Sequence, residues 1–510
     1  MKGLIKNKRG LAFPTVLGTF VLVSGIVAGL FIMVMNMTMM VSSDAESSEE
    51  SFKARNNLDV FLDAVRANNE IDHNLRETLD LLWEPIEGTN RVRVSFIRSN
   101  GQRVSSYIVF GTGGNVTLQD QMSQVENSSS VPSGSAHEFH EDTVINGNWI
   151  INNNKNNGYI IVAEGKTLFI DGHLEINTTH QGDFEIVGNV KVNGSASFNT
   201  EQHGDISIDG NLYVQNALNF STAHQGDIEL NGDVVAHGPV SIDVSSHGDI
   251  VLNGSLTTYS ELTIKSSHQG DIEIDGDVIT RGPASIKVES HGDVNINGDL
   301  IVDGVLDLIS THQGDIEVDG DVVVYGSTLI KTESHGDVNI NGDLIIIGNL
   351  DIVNKHQGDI EVDGDVVVYG YVMVILESHG KVILHGTLSV QDYLDIRNNH
   401  QGNFEVKKHT LVLGHTNLEV RSHGDIILNG NLDVQHDINA VSRHQGHIEV
   451  KGDTFASGNI SKTRFSSGQI RINSVSSTNV NFQLPIYEEI FDNTGQINDG
   501  ESSNILQIIR

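Results

Sequence analysis

Residues 312–356 read HQGDIEVDGDVVVYGSTLIKTESHGDVNINGDLIIIGNLDIVNKH. The same pattern returns on both sides of this stretch, from about residue 158 to about residue 475. One glycine opens each unit, and the interval is always 22 residues, with glycines at 182, 204, 226, 248, 270, 292, 314, 336, 358, 380, 402, 424, 446 and 468. A fixed period of this length indicates a repeat architecture in which each unit stacks on its neighbours.

Each unit contains three short segments in which apolar and polar residues alternate. With the first glycine as position 1, the apolar residues fall at positions 3, 5, 9, 11, 15 and 17, and in the unit from Gly314 they are Ile316, Val318, Val322, Val324, Thr328 and Ile330. A period of two predicts strands, and glycines at positions 1, 7 and 13 predict corners with unusual backbone dihedrals. The sequence therefore predicts a mainly β fold: a parallel three-sided β-solenoid, or β-helix, over residues 141–475, with about 14 coils roughly 4.8 Å apart.

The polar positions show that the full period is 44 residues. Position 4 alternates between glutamate and asparagine (Glu273, Asn295, Glu317, Asn339, Glu361), and position 6 between aspartate and asparagine (Asp275, Asn297, Asp319, Asn341, Asp363). Identical carboxylates stacked in register would repel, so an amide in every second coil lowers this repulsion. Position 2, in contrast, is aspartate in eight consecutive units, from Asp205 to Asp359. We expect these carboxylates to accept hydrogen bonds from corner N–H groups, with a row of bound cations as the alternative.

The N-terminus carries a basic leader over residues 1–10, followed by a stretch without charge from Gly10 to Ser43. That stretch is longer than the roughly 20 residues needed to cross a bilayer, so we predict a transmembrane helix over residues 11–43. The basic leader predicts a cytoplasmic N-terminus, with the bulk of this single-pass chain at the cell surface. A secretory signal peptide is the alternative, but its apolar region is usually about half as long.

The residues around the end of the leader resemble the N-terminus of type IV pilins and pseudopilins. Lys8-Arg9-Gly10 is followed by Leu11-Ala12-Phe13 and the long apolar stretch, and the resemblance covers roughly residues 1–85. It implies that a prepilin peptidase cleaves between Gly10 and Leu11 and that the apolar helix anchors the subunit or packs in a filament. Thr15 lies where major pilins carry a glutamate, so the resemblance favours a minor or accessory subunit.

Four further segments flank the membrane helix and the solenoid. Residues 44–83 are predicted to extend the helix, because apolar residues recur at near-helical spacing. Residues 84–113 contain two alternating runs, RVRVSFI and SSYIVFG, and are predicted to form a β-hairpin. Residues 114–140 are rich in serine, asparagine and glutamine and are predicted to be a linker. Residues 476–510 lack the repeat and are predicted to form a C-terminal cap or tail.

The charge balance restricts the partners. The chain has 67 acidic and 31 basic residues, and its net charge is −36. Nucleic acids and anionic membrane surfaces attract positive charge, so neither is an expected partner of the solenoid. We expect three kinds of partner. The N-terminal helix contacts the membrane, and the chain associates with pilin-like subunits or with copies of itself. The third partner is an extracellular ligand or surface. The chain has no cysteine, which excludes disulfides and thiol chemistry.

Histidines recur along one corner, at 180, 203, 224, 247, 268, 291, 312, 335, 356, 379, 400, 423 and 444. His291, His312, His335 and His356 are the candidate metal ligands in the central coils, and His312 and His335 are candidates for a diagonal contact. A zinc site needs three or four converging ligands, which a regular row does not obviously supply. We therefore expect a hydrogen-bonded polar corner without a cofactor, with metal binding or a proton switch as alternatives.

No catalytic constellation stands out. The sequence has no nucleophile elbow, phosphate loop or HExxH motif. The 22-residue spacing leaves no room for the long loops that form clefts in β-helical sugar-degrading enzymes, and the acidic residues form a lattice rather than one unique pair. We therefore predict that the protein is not an enzyme.

An apolar row at positions 10 and 12 is the best candidate for an interface. These positions should point outward, yet they hold Ile279, Ile301, Val323, Tyr325, Ile345, Ile347, Val367 and Tyr369. A continuous exposed apolar patch usually marks an interaction surface. The row predicts lateral association or a partner, unless the hairpin at 84–113 or the C-terminal tail covers it.

Two functions fit these features. The first is a membrane-anchored, surface-exposed structural or adhesive protein, an accessory component of a type IV pilus-like or secretion system. The second rests on the G-D-I-x-x-x-G-x-L-x-I pattern, which is similar to that of bactofilins and implies a polymer-forming scaffold of solenoids stacked end to end. A carbohydrate-active enzyme is a remote third.

Overall fold

A computed structural model describes residues 57, 78–79, 81–85, 91–97, 103–110, 118–153, 157–475, 484 and 505–509. The chain divides into two compact units, one with residues 1–86, 90–113 and 488–510, the other with residues 87–89 and 114–487. The leader, the apolar stretch at 11–43 with the Gly10–Leu11 bond, and nearly all of residues 44–80 and 476–504 lie outside the described residues. Among the residues that the structure does describe, no helix is long and apolar enough to span a bilayer.

The larger unit is a parallel β-solenoid of about 15 coils, which confirms the main prediction from the repeat. Three strands per coil continue from coil to coil as three rows. The first row consists of Ala136–Phe139, Gly158–Val162, Phe184–Val187, Ile206–Asp209, Ile228–Leu230, Ile250–Leu252, Ile272–Ile274, Val294–Ile296, Ile316–Val318, Val338–Ile340, Ile360–Val362, Lys381–Leu384, Asn403–Val406, Asp425–Leu428, the start of His447–Ala456, and Gln469–Ser474. The second row consists of Asn127–Ser130, Thr143–Asn146, Thr167–Asp171, Asn189–Val192, Leu212–Val214, Val234–Ala236, Leu256–Thr258, Val278–Thr280, Leu300–Val302, Val322–Val324, Leu344–Ile346, Val366–Val368, Leu388–Val390, Thr410–Val412, Leu432–Val434 and the end of His447–Ala456. The third row consists of Trp149–Asn153, Leu174–Thr178, Ala196–Thr200, Leu218–Thr222, Val240–Val244, Leu262–Ser266, Ala284–Val288, Leu306–Ser310, Thr328–Thr332, Leu350–Asn354, Val372–Leu376, Leu394–Asn398, Thr416–Val420, Ile438–Ser442 and Ile460–Arg464.

The core lies inside the coils, where equivalent residues stack in register. Ile316 pairs with Val338, and Val338 pairs with Ile360, so each row is a continuous aliphatic stack. All six inward positions predicted for the coil from Gly314 are buried, including Thr328. One coil alone cannot shield these side chains, so burial of the core requires its neighbours. Fully buried Phe198 and Phe220 stack in the same way, with ring centroids 5.3 Å apart.

The corner glycines serve a different purpose from the one predicted. Among the described glycines, a positive φ occurs only at Gly134, Gly147, Gly165, Gly188 and Gly210, all before the most regular coils. In those regular coils the neighbouring backbone is what demands glycine. A Cβ on Gly314 would lie 2.0 Å from the carbonyl oxygen of Gly292, and one on Gly358 would lie 2.1 Å from that of Gly336. The prediction of unusual dihedrals is therefore wrong for these coils, because close approach of successive coils, not φ, excludes a side chain.

Residues 127–139 of the segment predicted as a linker are part of the solenoid. Asn127–Ser130 pairs in parallel with Thr143–Asn146, and Ala136–Phe139 pairs with Gly158–Val162, so the first coil begins before residue 141. These strands lack the aliphatic pattern because, at the end of the stack, they are held by backbone hydrogen bonds and are largely exposed. The short helix α1, Leu118–Ser123, precedes them. Its Leu118 and Met122 are buried against Val144 and Phe169, which are outward-facing residues of the second row.

The smaller unit contains a four-stranded antiparallel sheet. Its strands lie in the order Leu82–Pro85, Arg91–Ile97, Arg103–Phe110 and Ile505–Ile509. The two strands within residues 84–113 pair antiparallel, as expected for a hairpin. The C-terminal strand adds to the edge of that hairpin.

Candidate functional site

The aspartates at position 2 join successive coils by hydrogen bonds from the backbone. The N–H of Asp293 donates to Oδ1 of Asp271 at 2.8 Å, and the N–H of Asp315 donates to Oδ1 of Asp293 at 2.8 Å. The row continues to Lys381, whose N–H donates to Oδ1 of Asp359 at 2.7 Å. This arrangement confirms that the aspartates accept corner N–H groups. Each carboxylate has a donor in the following coil, so no cation is required to explain the row.

Burial shifts the ionisation of these aspartates. Loss of water raises the pKa of five of them above the ordinary value of 3.8, and nearby acidic charges act in the same direction: Asp227, Asp271, Asp293, Asp315 and Asp337. The hydrogen bond from the next coil opposes the shift but does not cancel it. For these five carboxyl groups, the charged form is therefore less favourable in the folded chain than in water.

A second aspartate row lies at the next corner. The N–H of Asp321 donates to Oδ1 of Asp299 at 2.9 Å, and the N–H of Asp365 donates to Oδ1 of Asp343 at 2.8 Å. In the coils from Gly270 to Gly358, two corners are thus joined to the next coil by a carboxylate in addition to the strand pairing. The repeated G-D at positions 1–2 and 7–8 was the signal for this second row.

On the outer surface of the first row, amides lie between carboxylates. Nδ2 of Asn341 donates to Oδ1 of Asp319 at 2.6 Å and to Oε1 of Glu317 at 3.1 Å. Asn297 makes the same contact with Asp275 at 2.7 Å. The 44-residue alternation thus supplies a donor to the carboxylates of the preceding coil, in addition to separating like charges.

Sequence reasoning missed a buried polar row at position 19. The strands of the third row are five residues long, and their last residue turns inward. Thr200 Oγ1 donates to the carbonyl of Gly226 at 2.8 Å, and Ser310 Oγ donates to that of Gly314 at 2.8 Å. These hydroxyls satisfy carbonyl groups at the glycine corner. The signal was a run of Thr, Ser and Asn at this position, interrupted by Val and Leu.

Ten of the thirteen corner histidines form five pairs, each between adjacent coils. The ring centroids are 5.1 Å apart in the pair His291–His312 and 5.3 Å apart in the pair His335–His356. The pairs His247–His268, His379–His400 and His423–His444 have separations of 4.9, 5.2 and 4.9 Å. His312 and His335, the predicted diagonal pair, meet through the backbone: the N–H of His335 donates to the carbonyl of His312 at 2.7 Å. In the part of the chain that the structure describes, no three side chains of histidine, aspartate or glutamate converge closely enough to hold a metal ion.

The apolar row at position 10 is buried rather than open, contrary to the predicted exposed patch. Five of its members are at most 8% exposed: Ile279, Ile301, Val323, Ile345 and Val367. One physical cause is stacking in register, because Val323 lies between Ile301 and Ile345 of the neighbouring coils. At position 12, Ile347 is 39% exposed, whereas Tyr325 and Tyr369 are half-buried. The exposed apolar surface of this face is therefore much smaller than the sequence indicates.

Comparisons with protein-family models, with characterised proteins and with solved structures find no match for this chain. What the structure establishes is the class, a β-solenoid repeat protein with a regular array of polar corners.

Proposed function

We propose that this chain is a membrane-anchored surface protein whose solenoid is a structural or adhesive rod, an accessory component of a type IV pilus-like or secretion system. The observation that carries the proposal is the regularity of the solenoid. From Gly182 to Gly468 the coil length does not change, so no loop long enough to form a catalytic cleft interrupts the rows. A uniform rod with an acidic surface suits a spacer or a binding surface outside the cell.

The N-terminal sequence supplies the anchor in this proposal. The basic leader, the apolar stretch at 11–43 and the Lys8-Arg9-Gly10-Leu11 sequence together support export with prepilin-type cleavage. The membrane, pilin-like subunits and an extracellular surface are the partners that follow from this arrangement.

The mature N-terminus tests this proposal. We expect the protein purified from its native cells to begin at Leu11. When protease is added to intact cells, we expect it to degrade the solenoid of this protein. A Gly10→Ala variant, which alters the residue before the cleavage point, should retain Met1. An intact Met1 in the native protein, together with complete protection from protease, would contradict both the processing and the surface location.

The charges of the two solenoid ends favour a second candidate, a scaffold that assembles end to end. Residues 460–475, which form the last coil, contain Lys462, Arg464 and Arg471 and no acidic residue, in a chain whose net charge is −36. Residues 127–153, which include the first strand of each row, contain Glu138, Glu141 and Asp142 and no lysine or arginine. Opposite charges of this kind favour head-to-tail stacking of two copies through their terminal strands.

Salt dependence separates this scaffold from a monomeric rod. We expect light scattering of the detergent-solubilised full chain to show assemblies that grow with protein concentration and dissociate as salt is raised. The variant Lys462→Glu/Arg471→Glu should remain monomeric, whereas Lys381→Glu/Lys408→Glu, which makes the same charge change at exposed positions away from the ends, should still assemble. A wild-type chain that is monomeric at every concentration and at low salt would rule out the scaffold.

A further inference from the structure

The five histidine pairs repeat one geometry along a single corner. Each joins the histidine of an S-H-G sequence to that of the H-Q-G sequence in the following coil, as in Ser290-His291-Gly292 and His312-Gln313-Gly314. Their ring centroids lie between 4.9 and 5.3 Å apart, and the angle between the rings is 46° to 62°. The coil rise imposes a similar spacing on the stacked rings of Phe198 and Phe220, so what distinguishes the histidine pairs is that both rings are imidazoles, which are metal ligands.

A serine hydroxyl orients the first histidine of every pair. Ser290 Oγ lies 2.9 Å from Nδ1 of His291, and Ser334 Oγ lies 2.9 Å from Nδ1 of His335. The same contact occurs at His247, His379 and His423, at 2.9 to 3.0 Å. In the tautomer whose Nδ1–H donates to the serine hydroxyl, Nε2 is the ligand atom, which is how metal-bound histidines are usually oriented.

The surroundings favour a cation. All ten paired histidines are exposed, so an ion reaches them without a change in the coil. The aspartate row follows the histidines along the same corner, with Asp293 two residues after His291 and Asp315 three after His312. Its negative charge raises the local concentration of divalent cations.

We propose that each histidine pair is a binding site for one divalent late transition metal ion, of which Cu²⁺ is the candidate, because two protein ligands are too few for a zinc site. Two Nε2 atoms are the protein ligands, and water completes the coordination. Imidazole suits this metal, and the affinity order of divalent ions places Cu²⁺ first. One site recurs every 44 residues, about 9.6 Å along the rod. This inference does not depend on where the protein is located.

Equilibrium dialysis of the detergent-solubilised full chain against CuCl₂, followed by metal analysis, tests the stoichiometry. The paired variant has glutamine in place of one histidine from each pair: His268, His312, His356, His400 and His444. The control variant has glutamine in place of five histidines outside the pairs: His140, His173, His385, His409 and His447. We expect the paired variant to bind five fewer ions than the wild type and the control variant to match the wild type.

The spectrum of bound Cu²⁺ gives a second readout. Electron paramagnetic resonance should show two imidazole nitrogens per ion, and His312→Gln alone, a single change at an exposed position, should remove one ion. Equal metal content in the paired and control variants, or bound Cu²⁺ with only oxygen ligands, would overturn the proposal. Unchanged far-ultraviolet circular dichroism of each variant verifies that the solenoid remains folded.

Discussion

The backbone N–H of Asp337 donates to Oδ1 of Asp315 at 2.7 Å, across the boundary between two coils. We expect Asp315→Ala to lower the free energy of unfolding by about 1.5–3 kcal/mol, since it removes a hydrogen bond to a charged group. Asp315→Asn should be at least as stable as the wild type at pH 7, because it keeps an acceptor oxygen and removes a charge that burial disfavours. Urea denaturation followed by circular dichroism measures both changes.

Asn403 is a natural precedent for the asparagine variant, because the N–H of Asp425 donates to its Oδ1 at 3.2 Å. Equal losses of stability in the alanine and asparagine variants would show that the carboxylate charge, and not the acceptor, holds the coils together.

Close approach of the coils at Gly314 predicts a large effect of a single methyl group. In Gly314→Ala the new Cβ would lie 2.0 Å from the carbonyl oxygen of Gly292, so the coils must separate locally. We expect a loss well above 1 kcal/mol, and a lower thermal midpoint. Gly165→Ala is the matched control, because Gly165 has φ of 73° and open space around it. That variant carries only the dihedral cost of about 1–2 kcal/mol. A smaller loss at Gly314 than at Gly165 would contradict the steric explanation.

The buried hydroxyls of the third row predict opposite effects of one substitution. Thr332 is fully buried and its Oγ1 has no hydrogen-bond partner, so Thr332→Val should leave stability unchanged or raise it. Thr200→Val should lower the free energy of unfolding by about 1 kcal/mol, because Thr200 Oγ1 donates to the carbonyl of Gly226. Valine already occupies the equivalent positions 244 and 288, both fully buried. Denaturant titration measures the unfolding midpoint of each variant. The midpoint of Thr200→Val should lie below that of the wild type, and the midpoint of Thr332→Val should equal or exceed it.

The raised pKa values of the position-2 aspartates predict that mild acid stabilises the solenoid. A carboxyl group whose pKa is raised by folding binds its proton more tightly in the folded chain than in the unfolded chain. Its contribution to the free energy of unfolding is therefore fully present below the unfolded pKa, about 3.9, and is lost as the pH rises through the folded pKa. Glu289 acts in the opposite sense, because Lys287 and Lys265 lower its pKa to about 2, and its contribution is lost as the pH falls from about 4 to 2.

Stability should therefore rise as the pH falls from 7 toward about 4 and then decline. A variant with asparagine in place of five aspartates should show a smaller rise in stability between pH 7 and about 4 and the same decline below it. The five are Asp227, Asp271, Asp293, Asp315 and Asp337. Thermal unfolding of both proteins across this pH range measures the difference, and parallel curves would show that these five groups do not cause the rise.

The buried apolar row predicts a contrast between neighbouring residues. Ile345 is 4% exposed and Ile347 is 39% exposed. Ile345→Asp places a carboxylate out of water and should cost more than about 2 kcal/mol, whereas Ile347→Asp should change stability by less than about 0.5 kcal/mol. A stable Ile345→Asp variant with an altered oligomeric state would instead support the interface that the sequence predicted for this row.

The sequence alone was sufficient for the architecture, because its determinants are local and repeated. The inward alternation at Ile316, Val318, Val322 and Val324 follows from a period of two, and the constant interval forces equivalent residues into register. The aspartate at position 2 was also predictable in its role, since a short acceptor beside a corner glycine reaches a backbone N–H group.

The tertiary structure decided what depends on contacts between coils. The requirement for glycine at 314 comes from the carbonyl of Gly292, which is 22 residues away in the chain. The pairing of His291 with His312 is likewise a contact between two coils. Residues 127–139 join the solenoid through backbone pairing, which leaves no side-chain pattern to detect. Burial of Ile301 likewise depends on the side chains of the neighbouring coils. Alternation along a strand could not predict this burial, because it specifies only the direction in which a side chain points.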